Sequence, residues 1–359
     1  MKEKKIRIAM DLSPSQIGGG PYVSTSRIMK SGLKNKYDFQ ILKYDTSLGK
    51  GISIKRIINL KNQLKKINPD IVHFTGLLLT GFHIAVACKI AHVKNTVITI
   101  RGFSGDMINY HPVKRFLLNF LIEPTTLLLT RYFYGNSNFT ANRKKLKIFK
   151  NKNLGAIYNF PPVKDESNYS IKNELNIPSK NIIIVSVARI NKEKGYQVFD
   201  EAILKFQDKT NVKFLIIGKG EYLSTMQGKL KHQIDSKQVF FLGHRDDIQS
   251  ILKECNIFVL PTLHETLSLA LLEASVEGLA LIASNTGGVP EIIENGYNGL
   301  LVEPGNINEL YKALEYLIKH EDIRKEFGYN AKRKVESKFS HTVIESKIDS
   351  VYQKLLNNE

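Results

Sequence analysis

Residues 260–299 read LPTLHETLSLALLEASVEGLALIASNTGGVPEIIENGYNG. The segment opens on the end of an apolar strand, NIFVLPT, passes a polar turn and enters a run spaced for a helix. It continues into a second apolar strand, LALIAS, that leaves through Gly287-Gly288. Strand, helix and strand in that order form one crossover of a parallel sheet. Glu265 and Glu273 stand eight apart. In one unbroken helix they would lie about 80° past two full turns, so Glu265 belongs on the loop or in the first turn, and Glu273 about two turns inside. Carboxylates accept hydrogen bonds from hydroxyl groups. The N–H groups of Thr266, Leu267 and Ser268 at the helix start suit anionic or hydroxyl oxygens. Leu269, Leu271, Leu272 and Ala274 form the packing face, and Glu291 follows the Gly-Gly turn.

Working outward, the same unit recurs. On the N-terminal side, NIIIVSVARI is a continuous apolar run, as a strand buried on both faces requires. VKFLIIGKG ends in Gly218 and Gly220, and QVFFLGHRDD carries His244 and Arg245. On the C-terminal side, helices are expected over Ile307–Lys319, Glu321–Ser337 and His341–Leu356. Arg189 and Lys194, five apart across a strand–loop junction, can converge on a diphosphate, one as a planar fork and one as a point charge. The exit loops of parallel strands share one edge of the sheet. Arg189, Lys194, Gly218–Gly220, His244, Glu265, Glu273 and Gly287-Gly288 are therefore expected to line one cleft.

The first half alternates likewise. KIRIAM, YDFQILKYD, PDIVHFTG, NTVITIRG, RYFYGNS and AIYNF read as strands. Gly18-Gly19-Gly20 lies between the first strand and a helical run, where a glycine loop lets N–H groups approach an anion. HPVKRFLLNFLIEPTTLLLT, residues 111–130, is very apolar but is expected to break at Glu123-Pro124, and neither half approaches the ~20 residues of a membrane span. Burial of both halves is favoured over a helix lying along a membrane. FTANRKKLKIFKNKN interleaves Arg143, Lys144, Lys145, Lys147, Lys150 and Lys152 with Leu146, Ile148 and Phe149, a pattern suited to a helix on anionic lipid and equally to a merely solvated basic face. Pro161-Pro162 and KDESNYSIKNE read as a linker. The fold class is α/β: two Rossmann-like doubly wound domains, residues 1–163 and 164–340, with a terminal helix over 341–359.

The net charge of +18 is unevenly placed. Residues 1–160 hold 27 Lys+Arg against 7 Asp+Glu, a net +20, and residues 161–359 hold 25 against 27, a net −2. A basic half points to nucleic acid, an anionic membrane surface or an anionic substrate. Cys88 and Cys255, both in apolar surroundings, read as buried thiols, which suits a reducing cytosol. The start, MKEKKIRIAMDLS, is not a signal peptide in pattern. No Cys or His spacing predicts a metal site.

VARINKEKGY, IIGKGEY, FLGHRDDI, the Glu265-x7-Glu273 spacing and SNTGGVPEIIENGYNGLLVEPGN resemble the retaining glycosyltransferases of the GT-B fold, in the large group 4 family. The resemblance covers nearly the whole chain and is most specific in the C-terminal half. It implies two domains facing a cleft. The C-terminal domain would hold a nucleotide-diphosphate sugar and the N-terminal one a glycan or polyprenyl-linked acceptor, in the biosynthesis of a cell-surface polysaccharide. Arg189 and Lys194 would neutralise the departing diphosphate. Glu273 would bind ribose, and Glu265 with the amides of Leu267 and Ser268 the donor sugar. Gly18, Gly19, Gly20, Gly218, Gly220, His244, Arg245, Thr266 and Leu269 complete the expected donor site. No metal or other cofactor is expected, since cations and helix N-termini supply the electrostatics. The last helix would cross back to brace the first domain, and the enzyme would be cytoplasmic, peripheral on the inner face of the membrane.

Two departures from the family pattern stand out. Glu265-Thr-Leu-Ser replaces the usual Glu-Gly-Phe-Gly, and Arg101-Gly102 replaces a His-Gly pair. Arg101 cannot act as a base at neutral pH, so it is expected to contact sugar, phosphate or an anionic acceptor. Asp106 is expected on the acceptor side, and His73 as a packing residue. Competing functions are a nucleic-acid-binding protein using the basic half, a catalytically silent nucleotide-sugar-binding subunit, and a phosphorylase of the same fold. The first lacks an aromatic stacking platform.

Overall fold

The computed structural model describes residues 5–12, 19–106, 111–163 and 169–357. The chain divides into two compact units, Met1–Phe160 with His341–Glu359, and Pro161–Ser340.

The first unit holds β1 (Ile6–Asp11), β2 (Tyr37–Leu42), β3 (Ile71–Thr75), β4 (Thr96–Ile100), β5 (Tyr132–Gly135) and β6 (Asn153–Ala156). They pair in parallel in the order β2-β1-β3-β4-β5-β6. Every residue of IVHFT and TVITI is buried, because helices cover both faces of a parallel sheet. Those helices are α1 (Gly20–Lys30), α2 (Ile54–Ile67) and α3 (Leu79–Ile90). Ser53 caps α2 by accepting from the N–H of Arg56, and Asn68 ends it in the left-handed conformation. The last strand is NLGA rather than AIYNF, whose residues Ile157, Tyr158 and Phe160 are instead buried beyond the strand's end.

The His111–Thr130 stretch departs from expectation. The backbone stays helical through α4 (Pro112–Leu117), a π-helical turn over Leu118–Ile122 and α5 (Glu123–Leu129). Pro124 would clash with the carbonyl four residues back in a regular α-turn. The wider turn avoids this, with the Glu123 N–H donating to Leu118 O, five residues back. Burial also fails on one face: Val113, Phe116, Leu117, Phe120, Leu121 and Leu128 are exposed, whereas Leu118, Ile122 and Leu127 are buried and Leu129 packs partly against the core. The basic stretch after it is a short helix, Asn138–Ala141, and a 3-10 segment, Lys144–Lys152, kinked at Phe149, rather than one α-helix.

Helix His341–Leu356 packs on the first unit through Ile344, Ile348, Val351, Tyr352 and Leu355. Glu345 accepts from the Gly32 N–H (2.7 Å), Asp349 from Lys36 Nζ (2.8 Å), and Tyr352 OH meets His73 Nδ1 (2.7 Å).

The second unit repeats the plan with β7 (Ile182–Val187), β8 (Val212–Ile217), β9 (Val239–Gly243), β10 (Ile257–Leu260), β11 (Ala280–Ser284) and β12 (Gly299–Val302), ordered β12-β11-β10-β7-β8-β9. Strand β12 and the short helices Ile171–Leu175 and Val289–Ile292 were not legible from the pattern. In each sheet one strand has chain neighbours leaving in opposite directions: β1, between β2 and β3, and β7, between β8 and β10. Open α/β sheets bind ligands outside the carboxyl ends of the strands at such a reversal.

Candidate functional site

At the reversal of the second sheet, the loops after β7 and β10 are bound to each other. Leu263 N–H donates to Glu193 O (2.8 Å), and Thr262 Oγ1 to the same carbonyl (3.3 Å). Gly195, at φ +76°, lets the backbones touch: a Cβ there would lie 1.7 Å from Pro261 O. Asn191 Oδ1 accepts the Lys194 N–H (2.9 Å), which turns the loop so that Lys194 Nζ pairs with Glu265 Oε2 at 2.9 Å. The two side chains are 15% and 14% exposed, so this pair is largely withdrawn from water yet reachable. Sequence reasoning gave the lysine to the diphosphate and the glutamate to the sugar, and did not foresee the contact.

Glu265 is fixed on three sides. Its Oε1 accepts the Thr266 N–H (3.0 Å), its carbonyl accepts from Gly288 N (3.3 Å), and Gly287 approaches that carbonyl more closely than any side chain would allow. Thr266 therefore does not offer a free N–H. The helix starts at Leu269 rather than beside Glu265, and its cap is Ser268, whose Oγ accepts from Leu271 N (3.2 Å). Leu267 is buried, and Glu273, half-buried, sits one turn into the helix instead of two.

The loop after β8 joins the same edge. Gly218 N–H donates to Gly243 O (2.7 Å), and Ile190 N–H to Lys219 O (2.9 Å). Gly220 lies against the Ile190 backbone. Arg189 is exposed beside these loops, with no side-chain partner among the described residues. His244 is 53% exposed and faces Asp246 at 3.8 Å. Arg245 does not join the group. Its guanidinium is engaged by Asp247 (2.7 and 2.8 Å), Glu174 (3.1 Å) and Tyr169 (2.7 Å), and these contacts hold its pKa well above the usual arginine value.

In the first unit, Gly19 precedes α1 as its N-cap and Gly20 begins it, while Gly18 lies outside the described residues. Arg101, just past β4, donates from Nη1 to Asn159 Oδ1 (2.8 Å), which also accepts from Ser24 Oγ (2.8 Å). Burial lowers the Arg101 pKa. Asp106 is not open to a ligand in the way expected: it pairs with Arg143. His73 packs among Thr99, Tyr134 and Tyr352, and burial depresses its pKa to about 3, so it stays neutral.

Sequence reasoning passed over Asp11. It ends β1 at the reversal of the first sheet. Its Oδ2 accepts from Thr75 Oγ1 (3.1 Å), and its Oδ1 is buried without a hydrogen-bond partner among the described residues. Burial raises its pKa to about 7, against the pull of Thr75 and Arg101. Its position, the last residue of the first strand, was the available signal. Among the described residues no group of three or more His, Cys, Asp or Glu is arranged to hold a metal ion.

Residues 168–334 match the family model described as "Glycosyl transferases group 1". The chain is similar to the UDP-Gal:alpha-D-GlcNAc-diphosphoundecaprenol alpha-1,3-galactosyltransferase of Escherichia coli, 29% identical over 321 residues, 85% of this chain and 81% of that protein. It is also similar to the N,N'-diacetylbacillosaminyl-diphospho-undecaprenol alpha-1,3-N-acetylgalactosaminyltransferase of Campylobacter jejuni, 26% identical over 346 residues, 93% of this chain and 89% of that protein. Among solved structures, Anabaena Alr3699/HepE in complex with UDP-glucose shares the fold, with a TM-score of 0.76 at 16% identity over 97% of this chain and 100% of that one.

Proposed function

We propose, from the membership of residues 168–334 in the group 1 glycosyl transferases, that this glycosyltransferase moves a sugar, with retention of anomeric configuration, from a nucleotide-diphosphate sugar to a lipid-linked glycan at the inner face of a membrane. The observation that carries the reading is the Lys194–Glu265 pair, built by two interlocked loops at the reversal of the second sheet. Lys194 and the exposed Arg189 supply positive charge where a diphosphate departs. Glu265, already fixed by Lys194 and the Thr266 N–H, reads donor-sugar hydroxyls, and Glu273 reads ribose hydroxyls.

In the step itself the bond from the anomeric carbon to the diphosphate oxygen breaks, and a bond to the acceptor oxygen forms on the same face. The acceptor's proton passes to the departing phosphate oxygen. Cationic side chains carry the developing charge, so the reaction runs without a metal ion. In the first unit Asp11, Thr75 and Arg101 take the acceptor in place of Asp106, which is paired with Arg143. Two relatives named for diphosphoundecaprenol acceptors support a lipid-linked acceptor, and a fold neighbour holding UDP-glucose supports a UDP-sugar donor.

The test is transfer from a panel of UDP-, GDP- and ADP-sugars to polyprenyl-diphosphate glycans, with and without a chelator, and with the product anomer read by NMR. An inverted product removes retention, and loss of rate with chelator removes metal independence. Absence of turnover with nucleotide still bound favours the silent subunit.

A further inference from the structure

The exposed apolar row on α4 and the π-turn is left unexplained by the chemistry above. Val113, Phe116, Leu117, Phe120 and Leu121 follow the i, i+3, i+4, i+7, i+8 spacing of one helix face, and they are 46–60% exposed. The Phe116 and Phe120 rings pack with centroids 4.7 Å apart, forming an aromatic ridge in water. The opposite face already packs inward through Leu118 and Ile122. The helix is therefore apolar on both sides, and one side has no cover among the described residues. Contiguous exposed apolar surface of this kind marks an interaction site.

Charge identifies the occupant. Lys114 and Arg115 are exposed between the apolar positions, and the helix offers no exposed carboxylate. Its one acid, Glu123, is 1% exposed and held by Lys145 and the Ser104 N–H. Alongside lies the 3-10 segment, tied to the helix by Lys145 to Asn119 (3.0 Å) and by Lys152 to the carbonyls of Leu127 (3.0 Å) and Thr130 (2.9 Å). This segment keeps Lys144, Lys147 and Lys150 exposed, with Ile148 at 86%. Phenylalanine and leucine flanked only by cations fit an interface of acyl chains beneath anionic headgroups. A second copy of the chain fits poorly, since a two-fold contact through this face would set Lys114 and Arg115 against their own copies.

We propose that the α4–π-turn face is a membrane-docking surface that inserts Phe116, Phe120, Leu117 and Leu121 into the interfacial region of an anionic bilayer, with Lys114, Arg115, Lys144, Lys147 and Lys150 on the headgroups. It deepens the proposed reading, because it seats the acceptor-binding unit on the surface where a lipid-linked acceptor lies.

The chain contains no tryptophan, so Phe120→Trp gives a single fluorescent reporter. The experiment titrates this variant with vesicles of phosphatidylcholine alone and of phosphatidylcholine with about one-third phosphatidylglycerol. It runs beside flotation of the wild type and of Phe116→Glu/Phe120→Glu, sizing of the free protein, and donor hydrolysis in vesicle-free buffer. The expected result is a blue shift and quenching by brominated lipid with the anionic vesicles only. Partitioning should fall on the order of tenfold or more per aromatic lost, with hydrolysis of the donor unchanged. Failure of the wild type to float, an indole emission from Phe120→Trp that stays that of water on bound protein, or flotation unaltered in the double glutamate variant overturns the inference. So does a dimer of the wild type that the same variant dissociates, which would assign the face to a second copy. Vesicle binding needs no turnover, so its failure is separate from failure of the transferase reading.

Discussion

Gly287→Ala should damage the candidate site far more than its size suggests. A Cβ on Gly287 would stand 1.6 Å from Glu265 O, where ordinary contact begins near 3.4 Å, so one backbone must yield by about 1.8 Å. The residue also sits at φ +59°, which costs a side chain roughly 1–2 kcal/mol. Gly296 separates the two effects, since its φ is +78° and nothing lies within 4 Å of its added Cβ. Gly296→Ala should therefore lose only about 1–2 kcal/mol, and Gly287→Ala about 1–3 kcal/mol more for the forced displacement. The displaced backbone carries Glu265, and with it the contacts to Lys194 and Thr266. A misplacement of about 1 Å can cost on the order of 100-fold in rate. Urea unfolding of the C-terminal unit and initial rates of sugar transfer, measured for both variants, check this. Equal stability losses in the two, or normal transfer by Gly287→Ala, would refute the claim that the glycine's task is close approach to Glu265.

Three further outcomes are expected. Lys194→Met and Glu265→Gln should each abolish most transfer, and a double-mutant cycle on nucleotide-sugar binding should give a coupling of about 1–3 kcal/mol; strict additivity would mean the pair is incidental. Lys145→Met leaves the buried Glu123 carboxylate uncompensated and should destabilise the first unit by about 3–5 kcal/mol in thermal or urea unfolding, whereas a loss below about 1 kcal/mol would show that the carboxylate finds another partner. The third outcome concerns pH. His73 and His83, depressed by burial to about 3 and about 4, give stability that is complete above about pH 6.5 and is lost as pH falls. Asp11, raised to about 7, works the other way: its contribution is complete below about pH 4 and is lost as pH rises through 7. The slopes oppose each other at up to about 1.4 kcal/mol per pH unit per group. Asp11→Asn should therefore steepen the acid-side loss of urea stability between pH 6.5 and 4, and an unchanged slope would count against a neutral buried Asp11.

What could be read from sequence followed burial. Runs such as NIIIVSVARI and LALIAS announce strands because a parallel sheet with helices on both faces leaves no polar position to interrupt them. Strand β12 has four residues and opens on glycine, too short to show a period. The 111–130 stretch misled for a definite reason. Apolar composition alone does not distinguish a helix packed in a core from one whose far side is exposed, and a π-turn carries no sequence signature beyond the proline that follows it. At the candidate site, glycine spacing and the carboxylate pair pointed to the edge of the second sheet where Lys194 and Glu265 meet. The Lys194–Glu265 contact was hidden because it depends on Asn191 turning the loop and on two glycines letting backbones meet. Arg245 looked like a ligand residue because nothing in FLGHRDDI reveals that Glu174, seventy-one positions earlier, would claim it.

The return of helix His341–Leu356 to the first unit has a consequence for synthesis. That unit is continuous in space but not along the chain: Met1–Phe160 must wait for the final helix, while Pro161–Ser340 is complete beforehand. Domains emerging from a ribosome generally fold from the N-terminus onward. Here that order is inverted, because His73 stays without Tyr352 and the Gly32 amide without Glu345 until helix His341–Leu356 has been made. The unit that emerges second is thus the first able to finish, and a chain truncated before residue 341 would release a finished second unit joined to an unfinished first one.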